Sequence, residues 1–197
     1  EVCLLFHSQL FRGCRVVKVD ADGFDAFQSP NYPPLATLGI AVEVNWGLVK
    51  RPSTPLPPIN LQTIREPGEV GALRLYPGMS ARILANVLQP PLRGLVLETY
   101  GAGNAPTNNP AFLAVLAEAI KRGVVIVDCT QCLRGTVDLS KYATGSALAD
   151  IGLLSGYDMT AEAALTKLAY LLSIESDIEV VKTKMQQNLR GELTPSN

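Results

Sequence analysis

Hydrophobic positions change rhythm along this chain. Before residue 50 they come in short runs or alternate one by one; after residue 69 solid apolar runs alternate with helical spacing. Residues 2 to 6 and 14 to 19 flank Arg12-Gly13, a pattern that predicts a hairpin turning there. Lys18 stands among Val16, Val17 and Val19. On such a strand a lysine faces water or is held in a polar site, and the pattern alone favours water. The stretch from Asp20 to Asn31, broken by Gly23 and Pro30, reads as irregular. Val42, Val44 and Trp46 alternate with Glu43 and Asn45, so residues 35 to 49 predict a second strand pair.

Four prolines between Arg51 and Pro58 then favour a stiff, extended linker, expected over 51–68. Beyond it, Val70 to Tyr76 predicts a strand. Ser80 predicts a helix cap, with Ile83, Leu84, Val87 and Leu88 on one face. Leu95 to Tyr100 predicts a central strand, Pro110 to Lys121 a helix burying Phe112, Leu113, Leu116 and Ile120, and Val124 to Val127 an apolar strand after Gly123. A short helix is expected over Thr144 to Asp150, and a longer one from Thr160 through Leu172. A last helix is expected to open on Ser176-Asp177-Ile178-Glu179, read as a capping box, and to run to about Leu189. Apolar strands alternating with helices mean a parallel sheet covered on both faces. The fold class is therefore α/β. Residues 1–50 are read as the end of a larger N-terminal domain, 51–68 as linker, 69–190 as a complete small α/β domain with a parallel sheet, and 191–197 as a tail. The chain opens directly in a strand without an initiator Met, which reads as a fragment of a longer protein whose N-terminal piece leaves apolar surface exposed.

Apolar residues make up 47% and charged residues 18% of 197, a balance suited to a packed core rather than to disorder. A net charge of −1 offers no polyanion-binding surface, so no nucleic acid partner is expected. No apolar run reaches spanning length without Gly, Pro or charge, so no membrane partner is expected either. Cys3 and Cys14 fall in apolar segments, where free Cys packs as a small hydrophobe. Cys129-Thr130-Gln131-Cys132 is formally a CxxC, but no second matched pair completes a zinc site, and reduced cytoplasmic thiols are the simpler reading.

The candidate chemistry gathers at one turn. The central strand ends in Tyr100-Gly101-Ala102-Gly103-Asn104-Ala105-Pro106, and Asn109-Pro110 then starts a helix. Ligands of open α/β sheets collect at such strand ends, although a plain βα turn has the same pattern. Pro106 stands where a dinucleotide fingerprint needs its third glycine, and no phosphate-binding loop or Gly-x-Ser-x-Gly elbow occurs. His7 is the only histidine, which rules out an ordinary serine triad.

Tyr100 to Pro106, Thr130-Gln131-Cys132, Tyr142-Ala143-Thr144-Gly145 and Gly156-Tyr157-Asp158-Met159-Thr160 resemble segments of the cytosolic (type I) L-asparaginases, in order and over nearly the whole chain. The likeness is greatest to the animal members. It implies hydrolysis of L-asparagine to L-aspartate and ammonia by a threonine nucleophile, without a cofactor, in a cytoplasmic homo-oligomer (dimer or tetramer). The segment Phe11 to Lys18 resembles the piece that supplies the family's catalytic lysine, so the resemblance makes Lys18 catalytic, against the pattern of its valine neighbours. It implies that Asn104 and Tyr142 bind substrate across a subunit interface. The plainer readings are a turn cap for Asn104 and a core-edge ring for Tyr142. The family's Thr-Gly-Gly-Thr and Gly-Thr-Asp-Thr runs are absent from these residues, so the chain by itself is expected to be inactive. Some bacterial members bind an effector with an Arg where Glu98 stands and a Cys where Cys132 stands. An acid in place of that Arg removes the partner of a carboxylate. A non-catalytic ligand-binding or oligomerisation module on the same fold remains the alternative.

Overall fold

The computed structural model describes residues 1–51, 61–62, 69–140 and 143–195. Most of the expected 51–68 linker lies outside the described residues. Six short strands come first: β1 (Cys3–Phe6), β2 (Gln9–Arg12), β3 (Val17–Lys18), β4 (Phe27–Gln28), β5 (Ala36–Leu38) and β6 (Val42–Val44). An antiparallel sheet runs β1-β2-β5-β6, and β3 pairs with β4 as a separate ribbon. The expected hairpin forms one element early. It turns at His7-Ser8, both left-handed at φ 44° and 59°, because Cys3 to Phe6 pairs with Gln9 to Arg12. Two-residue hairpin turns with both centres at positive φ match strand twist. Cys14 and Arg15, read as the start of the second strand, lie instead in a 3₁₀ turn over Gly13–Arg15. The β5–β6 pair stands as expected, but Val42 and Trp46 are exposed, as are Val2, Leu5, Phe24 and Ile40. Cys3 is exposed too, and Cys14 is only half buried, so neither packs fully as a small hydrophobe.

After residue 69 the chain alternates β7 (Val70–Arg74), α1 (Ala81–Val87), β8 (Gly94–Thr99), α2 (Pro110–Lys121), β9 (Val125–Thr130), α3 (Ala143–Asp150), β10 (Leu154–Ser155), α4 (Ala161–Ile174) and α5 (Ile178–Met185). The four strands form one parallel sheet in the order β10-β9-β8-β7. Alternation along the central strands sorts their side chains. Leu95, Leu97 and Ile126 meet Leu84, Phe112, Leu116 and Leu148 from α1, α2 and α3 on one face. Val96, Val125 and Val127 meet Leu168, Leu171 and Val181 from α4 and α5 on the other. Burying each such side chain contributes roughly 1.5–3 kcal/mol. The caps follow the sequence with one exception. Ser80, Asn109 and Thr160 accept backbone N–H bonds at their helix starts, but α5 is capped by Asp177, not Ser176, and stops at Met185. Asp177 Oδ1 reaches the Glu179 amide at 2.9 Å, which leaves no role for a capping box begun one residue earlier.

The two parts are tied by buried polar groups. Arg15 is 2% exposed. Its Nη1 lies 2.8 Å from Asp158 Oδ2, its Nε donates to Gly191 O at 2.6 Å, and its Nη2 donates to Thr194 Oγ1 at 3.1 Å. Arg12 donates to the same Gly191 carbonyl at 3.3 Å and to Leu48 O at 2.9 Å. Both guanidinium groups stack on Tyr32, at 4.4 and 5.1 Å from the ring centre. Gly191 is required by this approach, since at φ 93° a Cβ there would lie 2.6 Å from Arg12 Nη1. Next to it, Lys167 Nζ sits 2.6 Å from Glu192 Oε1, both buried. Burial pulls the Lys167 ammonium below its ordinary value, and Glu192 opposes this. Burial would raise the Glu192 carboxyl, but Lys167 and the backbone amides of Leu189 and Arg190 outweigh it and bring it down to about 2.

Two outcomes are expected. Arg15→Ala strands the Asp158 carboxylate and should cost about 3–5 kcal/mol in a denaturant titration, whereas Phe24→Ala, on an exposed ring, should stay within about 0.5 kcal/mol. The Glu192 contribution is complete above pH 4.5 and lost as pH falls toward 2. Glu192→Gln should therefore flatten the acid limb of the stability curve, measured as Tm against pH.

Candidate active site

Asn104 sits where the central strand β8 runs out. Tyr100 and Asn104 close a tight loop, with Tyr100 N donating to Asn104 O at 2.9 Å and Asn104 N donating to Tyr100 O at 2.8 Å. Neighbouring strands and α3 hold the loop from two sides. The Thr130 hydroxyl, at the end of β9, donates to Gly101 O. The Thr144 hydroxyl, in the first turn of α3, donates to Asn104 Oδ1. With Oδ1 engaged, Asn104 offers a ligand the Nδ2 donor. The residue is half buried.

Gln131 fixes the same rim. Its Nε2 donates to Leu75 O at 2.7 Å and to Glu98 O at 2.9 Å, tying the ends of β7 and β8. Below the loop, Asp128 is 0% exposed and accepts from Thr99 Oγ1 at 2.6 Å. Burial pushes its carboxyl up to about 7, against the opposing Thr99 bond. Thr130, Thr144 and Gln131 lie inside motifs picked out in the sequence, yet side-chain bonds to distant backbone leave no mark in a linear pattern. Asp128 does leave one: a carboxylate following four apolar residues, Val124 to Val127, is out of place unless partnered or neutral.

The other expected residues are placed differently. Lys18 is exposed on β3, with Nζ 5.7 Å from the centre of the Phe27 ring. It lies on a different sheet from the one that ends at Asn104, and among the described residues no hydrogen bond or ion pair joins the two. Tyr142 lies outside the described residues. The CxxC is split by the sheet. Cys129 is buried, and burial pushes its thiol up, while Cys132 is exposed. Glu98 and Cys132 do share a cleft of about 130 Å³, where Arg74 Nη1 lies 3.7 Å from Glu98 Oε2. Among the described residues no group of three or more His, Cys, Asp or Glu is placed to hold a metal ion, and no helix is long and apolar enough to cross a membrane.

Comparison with known proteins matches residues 69–185 to the glutaminase/asparaginase C-terminal domain and residues 1–50 to the asparaginase N-terminal domain. The chain is 48% identical to L-asparaginase 1 of Escherichia coli, over 100% of this chain and 57% of that protein. It is 48% identical to the human 60 kDa lysophospholipase, over 99% of this chain and 34% of that protein. Among solved structures, L-asparaginase I of Vibrio cholerae superposes with a TM-score of 0.90 at 50% identity, covering 98% of this chain and 57% of the other. The chain thus spans little more than half the length of these bacterial relatives. With the α/β architecture, the Gly101–Asn104 loop and both domain matches in agreement, this chain belongs to the asparaginase family.

Proposed function

We propose that this chain supplies part of an L-asparaginase that hydrolyses L-asparagine to L-aspartate and ammonia. The observation that carries the reading is Asn104, held at the carboxyl end of the parallel sheet by Thr130 and Thr144 with its amide N–H₂ available. Such a donor suits the α-carboxylate of an amino acid. In the reaction a threonine hydroxyl attacks the side-chain amide carbon, the C–N bond breaks, and nitrogen leaves as ammonia once protonated. Water then cleaves the resulting ester, which frees aspartate and restores the hydroxyl. The nucleophile would come from residues outside these 197, since neither threonine motif of the family occurs in them.

Lys18 would serve as a catalytic lysine in the completed site, its ammonium stabilising a neighbouring carboxylate while the threonine loses its proton. Exposure of Lys18 here suits a site finished by further protein. Asn104 and Tyr142 would bind substrate across an interface between subunits, so the working form would be a homo-oligomer without a cofactor. The four free thiols suit the cytoplasm, where reduced cysteine is the rule. Kinship with the animal members is a finer point that rests on the quoted motifs, identity to the bacterial and human relatives being 48% in both cases.

Ammonia release by the full-length protein tests this reading. Lys18→Met should lower kcat on the order of a hundredfold or more with little change in Tm. Asn104→Ala should chiefly raise KM. An unchanged kcat in the Lys18 variant would return that side chain to the solvent-facing reading. The 197 residues alone should release no ammonia above a heat-killed control, and sustained release would contradict an external nucleophile.

A further inference from the structure

Asp128 has no part in the chemistry proposed above, yet it lies directly beneath the loop that carries Asn104. Its Oδ1 accepts from Thr99, and its Oδ2 is buried without a hydrogen-bond partner. A Cβ on Gly103 would come within 3.3 Å of that Oδ2, 2.9 Å of Val137 Cγ1 and 3.3 Å of Leu139 Cδ2. The unpartnered oxygen is thus roofed by a glycine backbone and two apolar side chains. That roof is one connected piece. Asp138 N donates to Ala102 O at 3.0 Å, Ser155 Oγ donates to Val137 O at 2.8 Å, and a Cβ on Gly145 would come within 2.9 Å of Leu139 O, which seats the segment against α3. The same helix carries Thr144, whose hydroxyl holds Asn104.

We infer that Asp128 is a positioning residue for Asn104: as a neutral acid it lets the Gly101–Asn104 loop and the 137–139 segment close over it, and on losing its proton it forces them apart. A carboxylate in this place would have a single hydrogen-bond donor and an apolar roof, whereas each unsatisfied lone pair of a buried charge is costly. The cheapest relief is to admit water by lifting the roof, which strains the Thr144–Asn104 bond. Among the described residues no cation pairs with this carboxyl. Among the described residues, the titratable groups on the surrounding elements are Glu98 and Tyr100 on β8 and its loop, Cys129 on β9, and Asp138 on the roof. Glu98 pairs with Arg74, the Tyr100 hydroxyl is buried without a partner, Cys129 is held as a neutral thiol by burial, and exposed Asp138 accepts from Ser140 N and Oγ. Each of these is acidic or neutral, so none favours ionisation of Asp128.

The sign of the pH dependence follows from the raised carboxyl. From an ordinary value of 3.8 it is pushed up to about 7, so the folded chain holds this proton where the unfolded chain has lost it. Stability from this group is complete below pH 3.8, declines as pH rises, and is gone above about 7.

The test is an NMR titration of the isotopically labelled full-length protein and its Asp128→Asn variant. The Asp128 carboxyl carbon should titrate with a midpoint near 7, and the amides of Gly103, Asn104 and Thr144 should move with that midpoint. In the Asn variant, an isosteric neutral group, those amides should stay at their low-pH positions throughout, and the decline of Tm between pH 4 and 7 should lessen. A midpoint near 4, the ordinary carboxylate value, would overturn the inference. So would loop amides that ignore the Asp128 midpoint, or that titrate unchanged in the Asn variant. If the variant does not fold, the wild-type titration still decides. The readout is the loop itself, so failure of the asparaginase reading would leave this result standing.

Discussion

A guanidinium group that water cannot reach sets the terms for the rest of this structure. Arg15 is 2% exposed and keeps its charge, so a carboxylate and carbonyls must be brought to it. Asp158 comes from the loop after β10, presented by Tyr157 in a left-handed conformation at φ 51°. The Gly191 carbonyl and the Thr194 hydroxyl come from the segment after α5. Asp158 also accepts from Thr194 N at 2.7 Å, so one carboxylate serves both the arginine and the C-terminal segment. Asn31 adds a second tie, bonding Gly135 through both its oxygen and its nitrogen. The six short strands of the first fifty residues bury little of their own surface, and these polar contacts fix where they sit on the parallel sheet.

The same contacts lie toward one end of the sheet. Arg15 reaches Asp158 just beyond the carboxyl end of β10, on the side where β8 ends in the Asn104 loop. Thr130, Gln131 and Thr144 then hold that end in one arrangement. A side chain on a loop is only as precisely placed as its supports allow, and here three side chains from β9, its following loop and α3 replace the rigidity the glycines give up. Asp128 beneath the loop makes that precision depend on a proton.

Much of the fold was legible in the sequence, and the reasons differ by region. From Val70 onward every element but β10 declared itself locally: Asn109-Pro110 and Thr160 as helix starts, the Leu95–Leu97 and Val125–Val127 runs as strands buried on both faces; β10 is two residues long, too short to leave a pattern. These signals act within a few residues and need no tertiary information. The first fifty residues were harder because their strands are two to four residues long. Arg12-Gly13 carries the stronger turn signal, since Gly marks turns, but His7-Ser8 makes the turn through backbone conformations that side-chain type only weakly favours. The cap of α5 slipped by one residue because Ser176 and Asp177 are both good caps. As for the site, the Asn104 loop was readable as a strand end, but its supports were not, because Thr144 is 40 residues away. The Arg15 network, bridging up to 179 residues, was invisible for the same reason.

If, as proposed, the Asn104 loop of one subunit and Lys18 of another complete a shared asparagine-hydrolysing site, two variants each lacking one of these residues should complement each other when mixed. Full-length Lys18→Met and Asn104→Ala proteins are combined under conditions of subunit exchange verified by a label, and assayed at asparagine far below the raised KM of the Asn104 variant, so that each is nearly inactive alone. If the residues come from different subunits, one site in each mixed dimer keeps both, and ammonia release returns to a sizeable fraction of wild type. If they come from the same subunit, every site keeps one defect. No recovery despite confirmed exchange would contradict the shared site and leave Asn104 as a loop residue.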